Sequence, residues 1–358
     1  MISGLDDVIA AETALSDVDG IAGRLVIRGQ PLGQIAGRLS YEDVVSLLLS
    51  DLVPDLSQGA ALGAARMDVF TRIAPVMDQL ARLDLYDGMR AGIAFMPDGV
   101  KVDDLLRLIA APAVLTPLMI RLQAGQAPVA PDVALGHAAD CLAMLGREDE
   151  GGALARALDT YLVAVCDHGL NASTFAARVV ASTRAGLTSS ILAGLGALKG
   201  PLHGGAPGPV IAMLDAIAAD GDARAWLKRE VAQGGRLMGF GHRIYRTRDP
   251  RADALKAAVR QLGCSAKSAE RLAFAEQVEQ TALAVLRAEK PGRVLETNVE
   301  FYTALLLEAV GFPPDAFTCV FAMGRVSGWV AHALEQQATG RLIRPQSRYV
   351  GPVYAQAR

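Results

Sequence analysis

Apolar residues recur with a helical period along most of this chain. From Tyr41 onward they fall at positions such as Val44, Val45, Leu48 and Leu49, which line one side of a helix with 3.6 residues per turn. Alanine, leucine, methionine, arginine and glutamine, all good helix formers, dominate the same stretches. Short breaks rich in glycine and proline separate them, and none is long or repetitive enough to be a flexible linker. The pattern predicts an all-α, mainly helical globule.

The pattern differs only near the amino terminus. Residues 13–29 contain an Asp19-Gly20 turn, followed by the β-prone run Leu25, Val26 and Ile27 between two arginines. This segment predicts a small N-terminal β-hairpin, the only convincing strand pair in the sequence.

The length of 358 residues fits two domains, or one large domain with an inserted segment. The stretch from about 207 to 290 lies between Gly/Pro breaks and is richer in charge than the Ala/Leu-rich helices around it. We therefore expect a smaller domain inserted into a larger one. The hinge would lie near the glycines, and a ligand cleft would lie between the domains.

Composition narrows the class of protein. With 51% apolar residues, 20% charged residues and a mean hydropathy of +0.27, the chain has the profile of a compact soluble protein. A net charge of -3 provides no general field that would attract nucleic acid. The amino terminus lacks the basic region of a secretory signal, and no run of about 18 uncharged apolar residues would span a membrane.

The cysteines Cys141, Cys166, Cys264 and Cys319 stand apart from one another, without the spacing of metal ligands. We expect free thiols in a reducing cytoplasm rather than disulfides or a zinc site.

Three of the five histidines lie beside glycine or polar residues. His203 is in Gly200-Pro-Leu-His-Gly-Gly205, a turn whose glycines let backbone and ligand approach closely and whose proline stiffens it. His168 follows Asp167, and His242 follows Gly-Phe-Gly. We interpret these three histidines as parts of one site.

The sequence after His242 is rich in arginine. Arg243, Arg246, Arg248 and Arg251 occur within ten residues, next to glycines that expose backbone N–H groups. Because the net charge of the protein is negative, this cluster of arginines predicts a local anion site suited to carboxylate or phosphate. A solvated basic loop is the alternative.

A carboxylate candidate lies at the start of a later helix. Asn298 is a natural N-cap, and Glu300 falls in the first turn of a helix that runs to about Val310 and ends at Gly311. A carboxylate at this position is either a favourable partner of the helix dipole or a general base.

In the last long helix, Phe321, Arg325, Trp329 and His332 share one face. A buried Arg325 needs an anionic partner, which a bound carboxylate would provide. We expect His332 to be a packed core residue and His137 a core or surface helix residue. No metal is expected, because the site histidines lack ligand spacing on one helix.

Several long motifs resemble the citrate synthase family. They follow one another in order across nearly the whole chain, and the segment from Ala10 to Gly20 resembles the short, dimeric class that includes 2-methylcitrate synthases. The motifs are Asp167-His-Gly-Leu-Asn-Ala-Ser-Thr-Phe175, Lys199-Gly-Pro-Leu-His-Gly-Gly205, Leu237-Met-Gly-Phe-Gly-His-Arg-Ile-Tyr245, Asp249-Pro-Arg251, Asn298-Val-Glu-Phe-Tyr302, Phe321-Ala-Met-Gly-Arg325, Gly328-Trp329 and Leu342-Ile-Arg-Pro345.

The resemblance implies an almost wholly α-helical homodimer. Residues 1–206 and 298–358 would form a large helical domain, and residues 207–297 a small domain that closes over the active site. The implied reaction joins acetyl-CoA or propionyl-CoA to oxaloacetate and yields citrate or 2-methylcitrate plus CoA. The acyl-CoA is a substrate, and no cofactor is implied.

The resemblance also implies roles for individual residues. His203 would be a neutral imidazole that stabilises the enol at the thioester oxygen, His242 would polarise the keto oxygen of oxaloacetate, and Glu300 stands at the position of the base. The residues that would hold the oxaloacetate carboxylates are His168, Arg251 and Arg325, with Arg344 from the neighbouring subunit. The residues that would contact CoA are Arg246, Met238, Gly239 and Gly241.

The base position departs from the family, in which it is an aspartate. The extra methylene of Glu300 moves the carboxylate by about 1.5 Å. Gly169 and Pro207 also replace residues that are common in the family. Three hypotheses stay open: a citrate or 2-methylcitrate synthase-type enzyme that uses Glu300, a related enzyme with another acyl-CoA or oxo acid, and a ligand-binding or assembly paralogue without turnover. The sequence does not distinguish acetyl-CoA from propionyl-CoA.

Overall fold

Helices hold 62% of the chain and strands 4%, which confirms the predicted all-α class. The computed structural model describes residues 8–352 except 55, 57–59, 100, 205–206 and 263–265. Gly205 and Cys264, of the predicted glycine turn and thiol set, lie outside the described residues.

The predicted hairpin is present as a small antiparallel sheet. Its strands are β1 (Ser16–Asp19), β2 (Arg24–Ile27) and β3 (Gln30–Pro31). Strand β1 pairs with β2, from Ser16 opposite Ile27 to Asp19 opposite Arg24. The two-residue strand β3 was not predicted. It follows a tight turn in which Arg28 and Gly29 both have positive φ, at 47° and 79°, as two-residue hairpin turns require.

Helices follow, with 3-10 turns at Ala74–Val76 and Pro314–Ala316. The helices are α1 (Leu32–Ile35), α2 (Tyr41–Leu49), α3 (Ala60–Ile73), α4 (Met77–Leu80), α5 (Leu85–Ala94), α6 (Val102–Gln123), α7 (His137–Leu145), α8 (Ala153–Val165), α9 (Ala172–Ser182), α10 (Leu187–Leu198), α11 (Pro207–Asp220), α12 (Ala223–Ala232), α13 (Pro250–Gln261), α14 (Ala266–Glu289), α15 (Val299–Val310) and α16 (Phe317–Thr339).

Local sequence sets several of these boundaries. Helix α2 begins at Tyr41, as predicted, because Ser40 and Asp43 form a capping box. The Asn298 side chain caps α15, and Gly311 ends it with a φ of 105°, as predicted. Helix α16 begins two residues after the predicted Asp315.

The long apolar helix α6 lies in the core. By length and composition it could cross a membrane, but 83% of its most apolar 18-residue stretch is buried inside the protein. It packs against α3, α5, α7 and α16. These contacts account for its hydrophobicity, since a helix that is apolar on all sides is a core helix when other helices surround it.

Helix α8 organises the site. It packs against α13, α15 and α16, which carry Arg251, Glu300 and Arg325 respectively. Its carboxyl end leads through Cys166 and Asp167 into His168. Four candidate residues from distant parts of the sequence are therefore brought to one region.

Candidate active site

The His242 imidazole is fixed by its own turn. Its Nδ1 atom accepts hydrogen bonds from the backbone N–H groups of Ile244 and Tyr245, both at 3.0 Å. A ring nitrogen that accepts two hydrogen bonds carries no proton, so the neutral ring is protonated at Nε2. Burial, with the nearby Arg251 charge, lowers the pKa of His242 to about 4. The ring is therefore a neutral donor at neutral pH.

Arg251 and Asp249 form a buried, two-pronged ion pair at the start of α13. Arg251 Nε lies 3.0 Å from Oδ1 of Asp249, and its Nη2 atom lies 2.7 Å from Oδ2. Burial works against ionisation of Asp249, but the Arg251 charge prevails and lowers the pKa of this carboxyl. Arg251 Nη2 also lies 3.3 Å from His242 Nε2. Two N–H donors thus converge there, which is an arrangement suited to a ligand oxygen.

His168 lies against the same turn. Its Nε2 atom is 3.1 Å from the Tyr245 hydroxyl, and its ring centre is 5.7 Å from that of His242. The side chain is only 6% exposed, and burial together with the Arg251 charge holds the pKa of His168 well below its ordinary value. His168 is therefore a second neutral imidazole beside the Arg251 cation.

Arg325 is a buried cation that forms no direct ion pair with any residue that the structure describes, although the charge of Asp167 acts on it from beyond contact distance. It is 1% exposed, its Nε donates to the Val165 carbonyl at 2.6 Å, and its guanidinium lies 4.8 Å from the Phe321 ring centre. Burial lowers its pKa to about 10. No carboxylate of the described residues contacts the Arg325 guanidinium, and a bound carboxylate would provide the direct anionic partner that the sequence predicts.

His203 lies in the turn after α10. Gly204 allows this turn to close, because a Cβ there would lie 2.7 Å from the Leu198 side chain. The His203 Nε2 atom is 2.8 Å from the Ser173 hydroxyl. Burial, with the Arg325 charge, lowers the pKa of His203 to about 4, so this imidazole is also neutral.

The Ser173 hydroxyl has three polar neighbours but only one proton to donate. It accepts from Trp329 Nε1 at 3.2 Å and lies 2.8 Å from both Asn171 Oδ1 and His203 Nε2. A proton given to His203 Nε2 places the imidazole proton on Nδ1, whereas a proton given to Asn171 places it on Nε2. Ser173 therefore controls which ring nitrogen of His203 is a donor.

Glu300 is the second residue of α15. The Asn298 side chain accepts its backbone N–H at 3.0 Å, so the cap is made by Asn298 and not by the glutamate. Glu300 Oε2 is buried and has no partner among the described residues. Burial raises the pKa of Glu300, while the charges of Arg236 and Arg251 partly oppose the increase. One oxygen of this carboxylate is thus held out of water without a hydrogen-bond partner among the described residues.

Comparisons with known proteins agree with this constellation. The chain matches the family model described as citrate synthase, C-terminal domain, over residues 4–346. It is 36% identical to the citrate synthase of Haloferax volcanii, over 97% of this chain and 95% of that protein.

The chain belongs to the citrate synthase family.

Two further comparisons extend across nearly the whole chain. The chain is 32% identical to the 2-methylcitrate synthase of Mycobacterium tuberculosis, covering 97% of this chain and 90% of that one. The solved ternary complex of Thermoplasma acidophilum citrate synthase with carboxymethyl coenzyme A and oxaloacetate superposes with a TM-score of 0.87 at 28% identity, over 100% of this chain and 98% of that one. The family therefore includes relatives with both citrate and 2-methylcitrate synthase names.

The remaining residues that the citrate synthase resemblance singles out lie at the surface or in the loop that leads into His242. Arg246 and Arg344 are exposed, and Arg344 lines a surface groove of about 490 Å³ with the amino-terminal segment. In the loop from Met238, the Gly239 carbonyl accepts from Asn298 N and the Gly241 N–H donates to Glu296, so both groups bind the residues before α15.

For two residues the structure adds partners that were not predicted from the sequence. Arg248, one of the four arginines of the predicted anion site, forms ion pairs with Asp253 and Glu279, which the sequence did not predict. His332 is buried as predicted, but it is more than a packed residue. Its Nε2 atom lies 3.1 Å from Asp167, and Arg178 Nη1 lies 2.8 Å from its Nδ1.

Sequence reasoning missed Ser173, Tyr245 and Asp249, all of which lie inside motifs typical of citrate synthases. Nothing in their spacing distinguishes them from ordinary polar residues. Asp249 carries the one usable signal, since aspartate before Pro250 is a helix N-cap, and its side chain does accept the Arg251 N–H.

Proposed function

We propose that this protein condenses acetyl-CoA or propionyl-CoA with oxaloacetate and releases citrate or 2-methylcitrate plus CoA. Membership of the citrate synthase family supports the reaction class. The observation that carries the proposal is Glu300, whose buried and unpaired Oε2 lies at the first turn of α15. An unpaired carboxylate with a raised pKa is suited to accept a proton from carbon.

Oxaloacetate binds first, between the arginines. Arg251 and Arg325 hold its carboxylates, together with His168. The desolvated Arg325 cation gains a carboxylate in direct contact, which none of the described residues provides. The keto oxygen then lies where His242 Nε2–H and Arg251 Nη2 converge, and the His242 donor polarises the carbonyl.

Glu300 next removes a proton from the carbon beside the thioester carbonyl of the acyl-CoA. Negative charge develops on the thioester oxygen, and His203 Nδ1–H donates to it. This tautomer requires the Ser173 hydroxyl to donate to His203 Nε2, across the 2.8 Å contact. A neutral imidazole with a pKa of about 4 keeps its proton at Nδ1 and stabilises the enol by a hydrogen bond.

The enol carbon then attacks the keto carbon of oxaloacetate. The new carbon–carbon bond forms as the enol double bond returns to the thioester carbonyl and the keto double bond breaks. The keto oxygen becomes a hydroxyl by taking the His242 Nε2 proton, and the proton that Glu300 removed from carbon replaces it, so both side chains return to their starting state. Water then cleaves the thioester, so that the acyl carbon becomes a carboxylate and CoA leaves as the thiol. The acyl group is converted into an alkyl substituent of the product.

Other assignments belong to the same proposal. Arg246 and the loop of Met238, Gly239 and Gly241 contact CoA, and residues 207–297 form the small domain that closes over both substrates. The active form is a cytoplasmic homodimer in which Arg344 reaches the neighbouring site. The reaction uses no cofactor, since proton transfer and carbon–carbon bond formation need only a base and hydrogen-bond donors.

The glutamate stands where the family has an aspartate, and we propose that the site is built for its length. Release of the CoA thiol with oxaloacetate and either acetyl-CoA or propionyl-CoA tests the reaction. We expect Glu300→Gln to lower kcat by about 10²–10⁴-fold, the usual contribution of a general base. Glu300→Asp should lower it by about 10²-fold through misplacement of the carboxylate.

The control is the dissociation constant of oxaloacetate, measured by calorimetry, which both variants should keep within a few-fold. Absence of thiol release from the wild type, with oxaloacetate or CoA still bound, would identify a ligand-binding paralogue. A faster Glu300→Asp variant would show that the glutamate is a defect and not part of a rebuilt site.

A further inference from the structure

We propose that the β1–β2 hairpin is a positioning element of this site, and that Gly20 at its turn fixes the imidazole of His242. The kinetic consequence rests on the proposed function, whereas the geometry does not. The hairpin joins two loops that are distant in sequence, and each of these loops carries a site histidine.

The base of the hairpin is attached beside His168. The Gly169 N–H donates to Ser16 Oγ at 2.9 Å. Gly169 has a φ of 58°, and a Cβ at this position would contact Val18 of strand β1 at 3.4 Å. Strand β1 therefore packs directly on the residue that follows His168.

The tip of the hairpin is attached to the turn after His242. The Gly20 carbonyl accepts the Arg246 N–H at 2.8 Å. A Cβ at Gly20 would lie 2.9 Å from the Ile244 carbonyl carbon, and closer still to its oxygen. A contact under 3.0 Å with backbone cannot be relieved by a side-chain rotation, so only glycine fits without a shift of the loop.

One peptide unit transmits this contact to the imidazole. The Ile244 carbonyl and the Tyr245 N–H belong to the same planar peptide group. Gly20 packs against the C=O edge of this peptide group. The N–H at the opposite edge donates to His242 Nδ1 at 3.0 Å. A displacement of the plane at Gly20 therefore rotates or lengthens a hydrogen bond that determines the tautomer of His242.

The hairpin also bears on acyl-CoA binding. The Arg246 backbone is held by Gly20, and the Arg246 side chain is exposed beside the loop. The same attachment thus sets the orientation of the polarising imidazole and the position of a cation proposed to meet CoA. If residues 207–297 move as a domain, the hairpin tip has to move with the 244–246 loop or release it.

Gly20→Ala tests the inference, with Gly33→Ala as the matched control. Gly20 does not have a positive φ, so alanine introduces only the contact with Ile244. Gly33 lies nearby in α1, likewise lacks a positive φ, and would place its Cβ in open space. We expect Gly20→Ala to lower kcat/KM for oxaloacetate by about 10–100-fold, as sub-ångström to 1 Å misplacement does. Gly33→Ala should stay within about two-fold.

A second readout does not depend on turnover. In ¹⁵N-histidine NMR of the free protein, wild-type His242 should titrate with a pKa of about 4 as the Nε2–H tautomer. In Gly20→Ala its pKa should move toward the ordinary 6.5, because Nδ1 loses acceptor contacts that favour the neutral ring. If the wild type lacks turnover, the proposed function is wrong. The titration then tests by itself whether the hairpin positions the His242 imidazole.

A folded Gly20→Ala protein with wild-type kcat/KM and an unchanged His242 titration would overturn the inference. If Gly20→Ala does not fold, Ser16→Ala provides the test at the base of the hairpin. It removes the hydrogen bond to Gly169 and should shift the His242 titration in the same direction by a smaller amount. An unchanged titration in Ser16→Ala would then refute the proposal.

Discussion

Asp249 binds Arg251 through both carboxylate oxygens, and one of these oxygens also accepts the first N–H of α15, at Val299, over 3.2 Å. The first turns of α13 and α15 are therefore joined through a single carboxylate. Because these two turns carry Arg251 and Glu300, the ion pair sets the relative position of the cation proposed to bind oxaloacetate and of the proposed base.

Replacement of Asp249 should affect stability and activity together. Asp249→Asn leaves the Arg251 charge buried without a counter-ion, and the loss of one partner of a buried pair costs about 3–5 kcal/mol. Urea unfolding at pH 7 measures this loss. The control is Asp253→Asn, whose side chain pairs with Arg248 while 61% exposed, and which should cost less than about 1 kcal/mol. Equal losses in the two variants would contradict the argument from burial.

The pH dependence of kcat/KM should have an acid limb set by Glu300. The base acts only when ionised, and burial raises its pKa above the ordinary 4.5. Activity is therefore present above the raised pKa and lost as the pH falls through it. His203 and His242, each with a pKa of about 4, remain neutral across the active range. Rate measurements from pH 4 to 9 test this, and an acid limb near 6.5 that persists in Glu300→Gln would assign it to a histidine instead.

Tyr161 carries a buried hydroxyl that finds no partner among the described residues. Tyr161→Phe removes this unsatisfied group and should raise the free energy of unfolding by up to about 1–3 kcal/mol. The matched control is Tyr41→Phe, which is equally buried but loses a hydrogen bond to the Met323 carbonyl at 2.8 Å. It should lower stability by about 0.5–1.5 kcal/mol. Denaturant unfolding of both variants measures the sign of each change in the free energy of unfolding. A destabilised Tyr161→Phe would reveal a hydrogen bond to bound water.

Glu279 should control acid stability in the region of α13–α15. It is 3% exposed, and although burial opposes ionisation, hydrogen bonds from Tyr302, Thr297, Lys256 and Arg248 lower its pKa to about 2. A folded-state pKa below the unfolded value of 4.5 stabilises the protein fully above pH 4.5, and this contribution disappears as the pH falls toward 2. It amounts to about 3 kcal/mol.

Glu279→Gln should therefore lower the free energy of unfolding at pH 7, and the difference from wild type should shrink between pH 4.5 and pH 3. Glu276→Gln is the control on the same helix, since its side chain is 25% exposed and pairs with Arg260 and Lys256 at the surface. A pH-independent difference for Glu279→Gln would mean that packing, and not charge, accounts for its effect.

Sequence reasoning was most successful where the determining interactions are local. The start of α2 at Tyr41 and the cap of α15 at Asn298 follow from side chains two or three residues away from the groups they bind. The β1–β2 pairing follows from a short turn. Strand β3 was not predicted because it is two residues long, and the ion pair of Arg248 with Glu279 was not predicted because the two residues are 31 positions apart.

The sequence by itself determined the helical class, the N-terminal hairpin and the family motifs, and it singled out three histidines as site candidates. Those features depend on periodicity, capping and residue type, which act over a few positions. Only the tertiary structure decided that His242 is a neutral Nε2–H donor, that Ser173 controls His203, that Arg325 has no direct ion pair and that Glu300 Oε2 has no hydrogen-bond partner among the described residues. The physical reason is that a side chain's protonation and its hydrogen-bond partners depend on burial and on groups brought close by folding, and Ser173 and His203 are 30 positions apart.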